Sequence, residues 1–120
     1  MAETSAGPGA VRLVHDDDRD RFEAWDGAAV VAVLQYGDDE TEPDGGAVPP
    51  VRDLRSTVVA PDRSGRGIGS ALVRFALDDA RERGLRIRAT CWFVRGWIER
   101  HPDYADLLET AGGAASEEPR

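Results

Sequence analysis

The chain has no lysine: all 15 of its basic residues are arginine. A Walker-type nucleotide loop is thereby excluded, since it needs a lysine after its last glycine to reach the terminal phosphates. Cysteine occurs once, at Cys91, which excludes an internal disulfide and makes a reducing, cytoplasmic compartment the expected location. Long hydrophobic runs are missing, so no membrane span and no membrane partner are expected. Met1 to Ala10 has neither a basic start nor an apolar stretch, and no secretory leader is expected there. A cationic excess is missing as well. The net charge of −8 repels a phosphate backbone, so nucleic acid is not an expected partner.

What remains, 120 residues with 41% hydrophobic content, fits one small domain with a modest core. Its charge is uneven. Residues 1–49 hold three arginines against twelve acids, whereas residues 50–101 hold eleven against six. The positive segment is the place where an anionic ligand would land. Val11 to His15, Arg21 to Trp25, Ala28 to Tyr36 and Val51 to Ala60 read as strands, with Asp26-Gly27 as a hairpin turn. Residues 1–10 and 111–120 read as disordered ends, and the acidic, Gly/Pro-rich stretch Gly37 to Pro50 as a mobile loop. From Gly67 the period changes. Ile68, Leu72, Phe75, Ala76 and Ala80 share one helical face, Gly84 is a natural stop, and Leu85 to Cys91 returns to a strand before a short helix over Phe93 to Arg100. The order predicts an α/β (α+β) domain whose helix crosses between neighbouring strands.

Between strand and helix stands Gly65-Arg66-Gly67-Ile68-Gly69-Ser70. Alternating glycines let backbone amides approach a ligand, and the free amides of a first helical turn attract phosphate oxygens. A phosphate-bearing cofactor and a tight turn into a helix are both open readings of these residues. The dinucleotide pattern would want glycine at Ser70, which rules that cofactor class out.

Val59-Ala60-Pro61 followed by the glycine loop, a helix and a strand resembles the acetyl-CoA site of the GNAT superfamily of N-acetyltransferases. Gly67 to Val73, Cys91-Trp92-Phe93-Val94 and Arg100-His101-Pro102-Asp103-Tyr104 resemble, more narrowly, a short single-domain GNAT-like subfamily. The resemblance implies a mixed sheet of about five strands, a central helix after the glycine loop and short C-terminal helices. It implies a V-shaped splay between parallel strands, here Thr57 to Ala60 and Ile87 to Cys91, with the pantetheine arm of acetyl-CoA in the gap. The implied cofactor residues are Val59, Arg63, Ser64, Gly65, Arg66, Gly67, Ile68, Gly69 and Ser70, and the implied acceptor is a small amine or an exposed amino group.

Departures from the family pattern concern chemistry more than binding. The usual catalytic tyrosine falls on or near Ile98, and the histidine and glutamate that normally flank Thr57 are Ser56 and Val58. A proline after the cysteine is replaced by Trp92, and a tyrosine by Trp97. Cys91 is the candidate catalytic group, as an acid or nucleophile at the thioester; its other reading is a packing residue at a strand end. Ser56, Thr57, Trp92, Trp97, His101 and Tyr104 are candidates for the rim of the site, each with packing as the alternative. No metal is expected. His15 and Asp16 to Asp18 are adjacent in one turn and cannot converge on an ion, and Asp38 to Gly46 has Pro43 where a calcium loop needs glycine. Two functions follow: an acetyl-CoA-dependent N-acetyltransferase, or an acetyl-CoA or CoA-binding module with little turnover.

Overall fold

The computed structural model describes residues 4–6, 11–39 and 50–109. Strands β1 (Thr4–Ala6), β2 (Arg12–Asp16), β3 (Arg21–Asp26), β4 (Ala29–Asp39) and β5 (Val51–Val59) precede a 3-10 turn at Pro61–Arg63 and helix α1 (Ile68–Arg83). Then come β6 (Arg86–Ala89), α2 (Trp92–Arg100) and a second 3-10 turn at Pro102–Leu107. The sheet runs β1-β2-β3-β4-β5-β6, antiparallel as far as β5 and parallel between β5 and β6. This is the mixed architecture that the sequence predicts, with α1 as the crossover.

Two expected boundaries move. Thr4–Ala6, within the stretch expected to be disordered, pairs with β2 through Thr4↔Val14 and Ala6↔Arg12; an open strand edge offers backbone partners to any extended segment. β4 continues through Gly37, Asp38 and Asp39, which the sequence assigns to the loop, and these pair with Asp53, Arg52 and Val51. Asp38 tolerates a strand position because the Arg52 guanidinium grips its carboxylate at 2.7 and 3.0 Å. The hairpin turn is Gly27-Ala28, one residue later than expected, with Gly27 at φ 60°. The rest of the expected loop, residues 40–49, and the tail at 111–120 lie outside the described residues.

One face of the sheet presents Leu13, Phe22, Ala24, Ala32, Leu34 and Leu54, and α1 covers it with Ile68, Leu72, Ala76 and Ala80, all buried. The stripe on α1 is the one its 3.6-residue period predicts, closed by Gly84 in the left-handed region at φ 71°. Asp79 interrupts this apolar face. It is buried, and it accepts from Arg52 Nη1 at 3.1 Å and from Arg83 Nε at 2.9 Å.

The site is set by where β5 and β6 part. Their ladder runs from Val51↔Arg86 to Leu54↔Ala89, and the Cys91 N–H closes it on the Leu54 carbonyl at 2.9 Å. At the same level β5 carries a bulge: Gln35 faces Ser56 and Tyr36 faces Leu54, leaving Arg55 as the extra residue. A bulge sharpens local twist and bends its strand. Beyond it β5 stays on β4 as far as Val59↔Ala32, while its other edge stands open toward α2. The V-shaped splay is thus located at Arg55, and Arg55 to Val59 form its free edge.

Candidate cofactor and acyl-transfer site

The chain leaves β5 at Val59, is tied back by the Ala60 N–H to the Val31 carbonyl at 2.8 Å, and turns through Pro61–Arg63. Gly65 and Gly67 both take positive φ, 80° and 81°, where any side chain would be strained. Gly67 is the N-cap of α1, so the amides of Ile68, Gly69 and Ser70 open the helix without intrahelical acceptors. Gly69 serves a different purpose. A Cβ there would stand 3.2 Å from Phe93 Cζ and 3.5 Å from Val59 Cγ2, so its bare backbone lets β5 and α2 approach the helix start.

A cavity of about 400 Å³ lies over this loop, lined by Val59, Arg63, Ser64, Gly65, Gly67, Ile68, Gly69, Ser70, Phe93 and Arg100. A second, of about 250 Å³, occupies the splay and is lined by Arg55, Ser56, Thr57, Val59, Thr90, Cys91, Trp92 and Phe93. Val59 and Phe93 wall both. Together they form a bent channel from the glycine loop, past Phe93, to the open edge of β5. Within it the Ser64 hydroxyl and backbone N–H both turn onto the Pro61 carbonyl, at 3.0 and 3.4 Å, so the amides open to a ligand are those further along the loop. Arg63 is held by the Asp26 carboxylate at the end of β3.

In the smaller cavity Cys91 is 6% exposed, and its Sγ lies 3.6 Å from Thr57 Oγ1 across the gap. Either atom can donate in that contact. Ser56 points to the other side of β5, where its Oγ donates to Gln35 Oε1 at 3.3 Å. Trp92, 79% exposed, stands at the mouth.

Most of the residues expected at the cofactor end therefore converge, but four candidates do not line either cavity. Arg66 is exposed on the outside of the loop. Trp97, His101 and Tyr104, expected at the rim, pack together behind it. The Trp97 ring is fully buried and stacks on His101 at 3.8 Å, with Tyr104 edge-on at 5.3 Å. The physical reason is depth. Phe93, Trp97 and Arg100 follow one face of α2 at i, i+4 and i+7, but Trp97 is fully buried against Ser70 of α1, whereas Phe93 is half-buried, Arg100 is exposed and both line the cavity. Ile98, at the position where the family usually has tyrosine, is 3% exposed and belongs to the core.

Phe93 and Arg100 were not legible as site residues in the sequence. The Arg100 guanidinium lies back along α2 over Gly96, where a Cβ would make an ordinary contact at 3.5 Å, so Gly96 carried no signal of it. Among the described residues no group of three or more His, Cys, Asp or Glu is arranged to hold a metal, and no helix is long and apolar enough to cross a membrane.

A parallel strand pair split beside a bulge, with a glycine loop opening the crossover helix, defines an acyltransferase fold of the N-acetyltransferase class. The chain belongs to the GCN5-related N-acetyltransferase family, whose profile matches residues 21–107. It is similar to Protein NATD1 of Bos taurus, 33% identical over 118 residues that cover 91% of this chain and 97% of that protein. Protein NATD1 of Mus musculus is 33% identical over 104 residues, covering 84% and 87%. Among solved structures, a GCN5-like protein from Staphylococcus aureus shares the fold at a TM-score of 0.54 and 22% identity, covering 88% of this chain and 86% of that one. A ribosomal-protein-alanine N-acetyltransferase from Brucella melitensis biovar Abortus does so at 0.51 and 22%, covering 83% and 67%.

Proposed function

We propose that this protein binds acetyl-CoA in the bent channel and transfers the acetyl group to a small amine or an exposed amino group. The observation that supports the reading is that the two cavities adjoin, with Val59 and Phe93 walling both. One end offers loop and helix amides for a pyrophosphate. The other offers the unpaired edge of β5 for the amides of a pantetheine arm, as a strand edge accepts any extended backbone. The residues present fit the group: Gly65 and Gly67, both at positive φ, have nothing within 4 Å of where a Cβ would stand, so the loop backbone is open to a ligand.

An acetyl thioester supplies a carbonyl carbon that an amine nitrogen attacks, the C–N bond forming as the C–S bond breaks. Arg55 to Val59 would hold the arm in register, and Phe93 would screen the reacting end from the loop. Cys91 stands where a proton is needed at the departing sulfur, and Thr57 Oγ1 is placed to orient its thiol. In this scheme the Cys91 proton goes to the leaving sulfur, and the proton released by the acylated nitrogen restores it.

A second reading is favoured by one observation. Among the described residues neither histidine nor carboxylate lines the smaller cavity, so none of their side chains there is built to deprotonate an ammonium. That suits a CoA-binding module with little turnover, or an enzyme whose amine loses its proton to water. Isothermal calorimetry with acetyl-CoA tests the binding common to both. We expect binding by the unmodified protein, and its loss in Gly69→Val, whose side chain wedges against Phe93. No heat and no melting shift for the unmodified protein at concentrations on the order of millimolar would sink the reading.

A further inference from the structure

We propose that Trp97 is a positioning residue for the phosphate end of the cofactor: its indole holds Ser70 Oγ from behind and turns the Ser70 hydroxyl proton into the glycine-loop cavity, toward a phosphate oxygen. The inference rests on the acetyl-CoA reading above and adds a residue that lines neither cavity.

Valence carries the argument. Trp97 Nε1 lies 2.6 Å from Ser70 Oγ, and an indole nitrogen can only donate, so one lone pair of the Ser70 oxygen is occupied by protein. A serine hydroxyl has a single proton of its own. Among the described residues that proton finds no acceptor, although Ser70 is half-buried and lines the cavity beside Gly67, Ile68 and Gly69. The hydroxyl is therefore left as a donor pointed at the same volume as the free amides of the first turn of α1. Donors gathered at one place, the free amides and this hydroxyl, complement a group with acceptors alone, as a pyrophosphate is. A group that mixes donors and acceptors would leave partners unmatched.

The orientation of the indole is held on several sides. Trp97 is fully buried, stacked on His101 at 3.8 Å with 13° between the rings, and the Arg74 guanidinium stands 5.2 Å from its centroid. His101 Nδ1–H donates to the Trp97 carbonyl at 2.8 Å, since a carbonyl can only accept. Tyr104 closes the other side and is itself fixed by donating to Asp78 Oδ1 at 2.7 Å. The segment His101-Pro102-Asp103-Tyr104 thereby acquires a function without touching the cofactor. It fixes Trp97, and Trp97 fixes the proton of Ser70.

The test measures coenzyme A affinity by calorimetry for the unmodified protein, Ser70→Ala, Ser70→Thr, Trp97→Phe and the double variant Ser70→Ala/Trp97→Phe. Ser70→Ala removes a hydrogen bond to a charged group and should weaken binding about tenfold, while Ser70→Thr keeps the hydroxyl and should restore most of it. Trp97→Phe should weaken binding about threefold in the native background and add nothing once Ser70 is alanine. A purely structural Trp97 would lower affinity by the same factor in both backgrounds, and that result overturns the proposal. The chain has three tryptophans, so its ¹H–¹⁵N spectrum holds three indole signals. The one lost in Trp97→Phe should shift in Ser70→Ala and move again when coenzyme A is added. Should Trp97→Phe not fold, Trp25→Phe and Trp92→Phe assign the Trp97 signal by elimination, and the Ser70 pair and the indole shift still decide. Unchanged affinity in Ser70→Ala, with normal binding by the unmodified protein, defeats this inference alone. No binding by the unmodified protein defeats the cofactor reading and this inference with it.

Discussion

Cys91 separates an acetyltransferase from a binder, because among the described residues it is the one thiol that lines the splay. Its thiol is nearly enclosed, with Thr57 Oγ1 at 3.6 Å across the gap. We expect weak acetyl transfer to an amine panel that falls about tenfold or more in Cys91→Ala, with acetyl-CoA affinity unchanged within about twofold. Intact-mass spectrometry after incubation with acetyl-CoA checks whether the sulfur carries the acetyl group during the reaction. Turnover indifferent to the substitution would make Cys91 a packing residue and leave proton transfer to water. Equal binding with no turnover in either protein would make the chain a CoA-binding module.

At the scale of elements, the buried charges fasten α1 to the sheet. Asp79 of α1 meets Arg52 of β5, Arg52 lies over the Tyr36 ring of β4 at 4.1 Å, and the Tyr36 hydroxyl meets His15 Nε2 of β2 at 2.6 Å. Burial pushes the Tyr36 phenol up to about 12 and keeps it neutral. Burial also lowers the His15 imidazole from its ordinary value of 6.5; the Asp79 carboxylate pulls the other way, and Arg52 and Arg83 reinforce burial. The sign follows from linkage. The unfolded chain takes up a proton at His15 at a higher pH than the folded chain does. The contribution is therefore complete above the unfolded value and is lost as pH falls from there toward the folded one. The melting temperature should drop between about pH 7.5 and about pH 5.5, and the drop should be smaller in His15→Gln. An equal drop in the two proteins would refute the assignment. Both thermal melts can be followed by circular dichroism.

Across the whole molecule, the hairpin that leads into β5 and the glycine loop that follows it stand at opposite ends of that strand. The pairing Asp39↔Val51 closes the β4–β5 hairpin at one end of the strand, and Val59 stands beside the glycine loop at the other. Eight residues of strand place these ends about 26 Å apart. Replacing residues 40–49 with a short Gly-Ser linker should leave acetyl-CoA affinity within about twofold and the melting temperature within a few degrees, because the ladder and the Asp38–Arg52 pair remain. Calorimetry on the shortened chain checks this, and a large loss of affinity would mean that the replaced segment reaches the site.

The glycine loop, the stripe of α1 and its stop at Gly84 were determined by the sequence alone, because φ preference, helical period and the free amides of a first turn are local properties. What was missing (lysine in the loop, glycine at Ser70) excludes the nucleotide motifs within six residues for the same reason. The place of the splay was decided only by tertiary structure, because a bulge is a relation between two strands and Arg55 carries no mark of it in its own neighbourhood. The same holds for α2. Apolar residues at 93, 94, 97 and 98 show that the helix is buried, but not which of them lie deep against α1 and which stay open to the cavity. The resemblance put Trp97 and His101 at the rim, while Phe93 and Arg100 escaped notice. Nothing near Asp79 in the sequence marks its burial for a like reason: it depends on Arg52, 27 residues away, and only packing brings the two together.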